Sequence, residues 1–389
     1  MSPPVALLGW ELGAGLGHAR RLLAIARALR REGVLPVIAQ RELWACADEL
    51  RAEGIRQVQA PIHKSLAPRD GTFHARSYAD MMAACGYARL HSLWPTVLGW
   101  DGLIDLVRPS VIVTDYAPIL SLAAHGRVPV VAIGDGFVLP PTHLGRFPVL
   151  RDGEGMADEP AMLANAASVQ ARRGLPAPEA LPALIGGQAH VVCTYRETDI
   201  YATSRQAPAL GPLEPQPAPL PAAPDGAVFV YLAADYPHTA KLLQLVSDLR
   251  RPATAYVRDA SEQLKGALRA AGVAVHDRPA PLPEALRAAS LVVHHGGVGT
   301  IETCLAAGRP QFLLPRHFEQ GLNAKALVRL GVARYLWGAF SLADGRAALS
   351  EAVASHELRA QAEAVAAELA GRETDSLEAI VAACRSLAA

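Results

Sequence analysis

Residues 208–224, PALGPLEPQPAPLPAAP, hold seven prolines in seventeen positions. Each proline fixes φ and removes an amide donor, so no helix or sheet can run through the stretch. It predicts a stiff, extended linker that cuts the chain into two halves. Before it, short apolar runs alternate with helical spacing. VALLG (5–9), VLPVIA (34–39), VIVTD (111–115), VPVVAI (128–133) and HVVCT (190–194) read as strands. Leu22, Ile25, Ala26 and Leu29 recur at helical spacing, and Gly33 follows as a stop. The stretch from about 60 to 100 reads as a helical or irregular insertion. After the linker the alternation restarts with VFVYLA (228–233), ATAYV (253–257), VAVH (273–276), LVVHH (291–295), QFLLP (311–315) and VARYL (332–336). An Ala- and Leu-rich helical tail closes the chain. Strands joined through helices imply crossovers and mostly parallel sheets. The expected fold class is therefore α/β, with two doubly wound, Rossmann-like domains. The first covers 1–207, the linker 208–224, and the second 225–389 with its terminal helices.

The 389 residues suit two domains better than one core. Lys+Arg and Asp+Glu are equal at 37 each, which gives no reason to expect a nucleic-acid partner. Cys46, Cys85, Cys193, Cys304 and Cys384 are far apart and form no CxxC pair. That pattern fits free thiols in a reducing compartment and gives no metal-ligand set. With no basic, apolar leader and no run of about 18 apolar residues, a cytoplasmic protein without a membrane span is expected. Peripheral membrane contact stays open, as does monomer against homodimer.

The most informative segment is LVVHHGGVGTIETCLAAGRPQFLLPRHFEQGLNA (291–324). A buried strand ends at His294–His295, a Gly-Gly turn follows, and a helix starts near Val298–Thr300. Gly296, Gly297 and Gly299 leave room for a close backbone approach. The free amides of the helix start favour an anion at the C-terminal edge of the sheet.

HHGGVGT, AAGRPQFLLP and EQGLNA, in this order, resemble the donor-binding motif of GT-B glycosyltransferases, in particular bacterial relatives of the macrolide and UDP-dependent enzymes. The resemblance implies two Rossmann-like domains facing a central cleft. It also implies sugar transfer from a UDP- or dTDP-sugar, inverting and without a metal or resident cofactor. His295 would bond a donor phosphate. Thr300 and the amides of Gly297 to Gly299 would sit beside the diphosphate. Glu319 and Gln320 would bond sugar hydroxyls, and Leu282, after Pro281, falls where relatives line the nucleotide base. The sequence departs from the family in three places. Thr303 stands where relatives carry a ribose-binding Glu, and Glu302 lies about 100° around the helix. Glu319 replaces the commoner Asp. Ala233, Ala234 and Asp235 replace a Gly-rich turn.

The first strand leads into GWELGAGLGHARRLLAIARAL (9–29), where Gly13, Gly15 and Gly17 permit a tight strand-to-helix loop. The spacing does not match a dinucleotide fingerprint. By the same resemblance, His18 occupies the position of an acceptor-activating base and Asp115, at the end of VIVTD, that of its orienting carboxylate. A helix-capping role stays open for each. GLGHARR also resembles the GxGHxxR loop of GT-B nucleotide-sugar hydrolases, with Gly15, Gly17 and Arg21 on the acceptor side. A hydrolase or epimerase, or a non-catalytic sugar-nucleotide binder, are the alternatives. The acceptor, a small molecule or a lipid-linked one, is not specified. Phe73, Tyr78, Tyr87, Trp94, Trp100, Phe137 and Phe147 suit stacking on it, and a helical core explains them equally well.

Overall fold

The structure is a computed structural model and describes residues 3–13, 15–63, 74–151, 153, 155–223, 225–249, 251–279, 281–372 and 375–388. It divides into two compact units, Met1–Glu214 with Thr374–Ala389, and Pro215–Glu373.

The first unit is built on six parallel strands: β1 (Val5–Trp10), β2 (Leu35–Gln40), β3 (Arg56–Gln59), β4 (Val111–Asp115), β5 (Val130–Gly134) and β6 (Ala189–Val192). Their order is β3-β2-β1-β4-β5-β6. β4 and β5 are buried at every residue, as expected for strands covered on both faces. β3 has no counterpart among the expected strands, because RQVQ is polar and half exposed at the sheet edge. The helix Leu16–Arg31 lays Leu22, Ile25 and Leu29, all fully buried, against the sheet. Each such side chain stabilises the fold by roughly 1.5–3 kcal/mol. Gly33, at φ +78°, lets the chain turn into β2.

The second unit repeats the plan with β7 (Ala227–Ala233), β8 (Ala253–Arg258), β9 (Ala274–Val275), β10 (Ala289–His294), β11 (Gln311–Leu313) and β12 (Ala333–Tyr335). The order is β12-β11-β10-β7-β8-β9. In each sheet the strand sequence reverses direction beside the first strand: between β1 and β4, and between β7 and β10. The two C-terminal strand edges therefore each carry a topological switch point, where open α/β sheets bind ligands.

Two expected boundaries move. The second domain does not run to 389, because the helix Ser376–Ala388 packs on the first unit. Its Ile380 and Cys384 are fully buried in the core that holds Leu22, Ile25 and Val113. Ser376 Oγ also donates to Gly211 O at 2.6 Å. The proline-rich segment is not a free linker over all of 208–224. Leu210 N donates to Val192 O at 2.9 Å in the first unit, whereas Arg309 Nη2 donates to Pro221 O at 2.8 Å in the second. The segment is extended, and both ends are docked.

The insertion contains the helices Tyr78–Met82 and Leu90–Val107, with a π-helical turn, Ala83–Tyr87, between them. Phe73 lies outside the described residues. Tyr78, Tyr87, Trp100, Phe137 and Phe147 are buried side chains of the core, so they offer no stacking surface to an acceptor. No described helix is long and apolar enough to cross a membrane.

Candidate active site

The turn after β1 delivers His18. Gly13 takes φ +81°, and a Cβ there would stand 2.7 Å from His18 Nε2, so glycine is required on both counts. Gly15, at φ +94°, precedes the helix, and Gly17 faces open space. His18 then falls in the first helical turn, 9% exposed. β1 and β4 pair in parallel with Trp10 opposite Asp115, which brings the two strand ends together. His18 Nδ1 lies 3.0 Å from Asp115 Oδ2. Trp10 stacks on the imidazole at 5.1 Å between centroids. Nε2 makes no hydrogen bond among the described residues.

Asp115 is fully buried. Burial is the largest single influence on its carboxyl and pushes it up. Arg21 and His18 together outweigh burial and hold it below the usual carboxylate range. Arg21 stands one turn along the helix, with Nε 3.5 Å from Asp115 Oδ2 and Nη2 3.5 Å from Asp135 Oδ2. Asp135, at the end of β5, accepts from Phe137 N and Val138 N. An ionised Asp115 favours the Nδ1–H tautomer of His18 and leaves the Nε2 lone pair as a base. Asp115 does not cap the helix at Pro118, whose first free amides are met by Glu11 instead.

The second switch point is organised by two histidines. His294 is buried. Its Nε2 donates to Gln311 Oε1 at 2.9 Å, and its Nδ1 accepts from Gly296 N at 3.0 Å. Gly296 takes φ +87° to make this turn, and its carbonyl accepts from Asn323 Nδ2 at 3.2 Å. His295 Nδ1 donates to Leu314 O at 2.9 Å, and its Nε2 accepts from Ala233 N at 3.1 Å. Burial pushes both imidazoles down to about 4, against the pull of the hydrogen bonds to Gln311 and Leu314, and Arg316 and Arg258 add to the effect at His295.

The phosphate contact expected of His295 would have to compete with these backbone bonds. Both ring nitrogens are engaged by backbone, so the neutral ring brackets the ends of β7, β10 and β11. A cavity of about 180 Å³ opens beside it. His295, Gly297, Thr300 and Gln320 line it, together with Arg258 and Arg316. Arg258 lies outside the 291–324 segment, and Arg316 lies within it but was given no role from the sequence. Arg258 ends β8, and Arg316 pairs with Asp235 at 2.6 Å.

Other expected donor residues stand elsewhere. Gly299 is exposed at the helix start. Thr303 donates its hydroxyl back to Gly299 O at 2.8 Å, one turn beyond the cavity. Glu302 is turned into the core, 6% exposed, which removes it as a ribose ligand. Glu319 opens the helix Phe318–Arg329 without lining the cavity, and Gln320 Oε1 accepts from Arg316 N at 2.8 Å. Leu282 packs against the cluster of Phe229 and Leu286 rather than lining the cavity, because it starts a short helix that closes the core there. Among the described residues no group of three His, Cys, Asp or Glu is placed to hold a metal.

A family model, the erythromycin biosynthesis protein CIII-like C-terminal domain, matches residues 259–385. Among solved structures, the calicheamicin glycosyltransferase CalG4 is similar with a TM-score of 0.72 at 18% identity, over 100% of this chain and 98% of that one. The chain therefore has the GT-B fold, and residues 259–385 are similar to a domain of the erythromycin biosynthesis protein CIII-like family. Glycosyltransferase VinC, solved in complex with dTDP, is similar to this GT-B chain with a TM-score of 0.62 at 19% identity, over 99% of each. SnogD from Streptomyces nogalater gives 0.61 at 21% identity, over 99% of this chain and 100% of that one. No curated protein sequence matches the chain.

Proposed function

We infer that this protein is a glycosyltransferase that moves a sugar from a UDP- or dTDP-sugar to an acceptor hydroxyl with inversion. The observation that carries the reading is the 3.0 Å contact of His18 Nδ1 with buried Asp115 at a switch point, with Nε2 unbonded among the described residues. His18 Nε2 takes the hydroxyl proton while the acceptor oxygen attacks the anomeric carbon. The bond from that carbon to the phosphate oxygen breaks, and Asp115 stabilises the imidazolium that forms. The departing diphosphate belongs at the second switch point, against the amides at Gly297 and Thr300 and the guanidinium groups of Arg258 and Arg316. These groups supply the positive charge that a metal supplies elsewhere, so the route needs none. His295 contributes by holding the strand ends that shape this pocket.

Arg21, set between Asp115 and Asp135, favours a second reading, hydrolysis of the nucleotide sugar with water in place of the acceptor. Mass spectrometry separates the two. The protein is incubated with a panel of nucleotide sugars, with and without a cell extract. Transfer gives a new species heavier by one sugar residue, together with acceptor-dependent release of nucleoside diphosphate. Equal release of free sugar with and without extract supports hydrolysis. Donor binding without turnover under any condition overturns both.

A further inference from the structure

Glu11 directly follows β1 and is 1% exposed. A carboxyl group in such a place is costly unless its oxygens are answered. Here Oε2 accepts from Ile119 N at 3.0 Å and Oε1 from Leu120 N at 2.6 Å, the first free amides of the helix that follows β4. Each oxygen thus meets one backbone N–H of that helix start. Burial opposes ionisation and pushes the group up to about 8, against the pull of the two amides.

The same junction carries further ties. Leu12 N donates to Tyr116 O at 3.0 Å, Trp10 Nε1 to Leu12 O at 2.5 Å, and Arg41 Nη1 to Glu11 O at 3.0 Å. Tyr116 is held in the left-handed region at φ 51°, sparsely populated by aromatic residues. On one side of this stitching is the turn that carries His18, on the other the turn that carries Asp115. The two residues are 97 positions apart in sequence, so their contact depends on how these turns are docked.

We propose that Glu11 is a positioning residue for the His18–Asp115 pair, its buried carboxyl group locking together the two turns that carry them. The proposal rests on His18 acting as the base, and the experiment keeps the two claims apart. Glu11→Gln preserves volume but sets an NH2 group against one of the amides. Three quantities are read: turnover, donor affinity by calorimetry, and the low-field proton of His18 Nδ1–H, assigned by its loss in His18→Gln. The expected result is a shifted or broadened low-field proton and turnover down roughly 10- to 100-fold, with donor affinity unchanged. An unmoved proton and unchanged turnover overturn the positioning role, whatever His18→Gln does. A moved proton with full turnover supports positioning and removes His18 as the base. If Glu11→Gln does not fold, the wild-type protein with ¹³C-labelled glutamate serves. The Glu11 carboxyl shift and the low-field proton should then change together with pH, and independent titration overturns the proposal. Arg41 is the cation on this junction. Tyr78, Tyr87 and Cys85, which sense the Glu11 charge, are all pushed up by burial and stay neutral over the range used.

Discussion

His18 and His295 flank equivalent crevices in two sheets of the same strand order, and their surroundings make them different chemical objects. In the first unit the histidine follows the first strand and its partner ends the fourth. In the second the histidine follows the fourth strand, and the amide it accepts from ends the first. His18 meets a buried carboxylate and keeps one nitrogen unbonded among the described residues. His295 meets a carbonyl and an amide, and both nitrogens are used. A carboxylate behind the ring rewards taking up a proton. Partial burial and the nearby arginines penalise it, and His295 is pushed down to about 4 accordingly. The residue type at a strand end thus does not decide its role; the groups behind it do.

The sharpest way to break this contrast is His18→Ala. Turnover should fall by on the order of 10²–10⁴-fold with donor affinity nearly intact, because the donor pocket lies on the other unit. Steady-state kinetics beside calorimetry with a nucleotide sugar checks this. Next in size is Asp115→Asn, expected to cost about 10- to 100-fold in turnover, since a misoriented ring still accepts a proton part of the time. Loss equal to that of His18→Ala would mean that the pair acts as one unit.

On the donor side, Arg258→Ala and Arg316→Ala should each weaken nucleoside diphosphate binding by on the order of 5- to 100-fold, less so at high salt. Equal losses for the uncharged nucleoside would show that neither arginine meets the phosphates. Arg316 must leave Asp235 to do so, so Asp235→Asn should tighten diphosphate binding slightly.

The smallest effect is on stability, and it has opposite signs in the two units. His294 is lowered from 6.5 to about 4. The unfolded chain therefore takes up its proton first, and stability present above pH 6.5 is lost as the pH falls toward 4. This amounts to roughly 3 kcal/mol at the acid limit. Glu11 is raised from 4.5 to about 8, so its contribution is present below 4.5 and is lost as the pH rises through 8. Hydrogen exchange followed by unit should show the second unit loosening in acid and the first in base. Uniform loosening of both units would contradict this assignment.

Much of this was legible in the sequence because it is local. The alternation of apolar runs indicated eleven of the strands, though not the polar edge strand β3, and the Gly-rich turns marked both switch points. His18 and Asp115 were also recognisable, each ending or following a strand whose neighbour could be inferred. What was hidden depends on long-range packing. Nothing in the last fourteen residues says which core their apolar face joins. Arg258 and Arg316 come to one cavity from separate strands, and only Arg316 lies within the 291–324 segment. The backbone partners of His295, Ala233 and Leu314, are 62 and 19 positions away and left no local signal. Glu11 carried no signal beyond being a charge next to a buried strand, since its partners lie more than a hundred positions on.

The central claim is that Asp115 sets His18 as a base while backbone sets His295 as a neutral bracket. The most direct test is the ¹⁵N spectrum of histidine-labelled protein near neutral pH, with the two rings assigned by substitution. The account predicts His18 with its proton on Nδ1, bonded to Asp115, and an unprotonated Nε2. It predicts His295 also with Nδ1–H, but holding that neutral form unchanged as the sample is acidified toward pH 5. A His18 ring protonated on Nε2 in its neutral form, or a His295 ring that becomes imidazolium above pH 5, would contradict it.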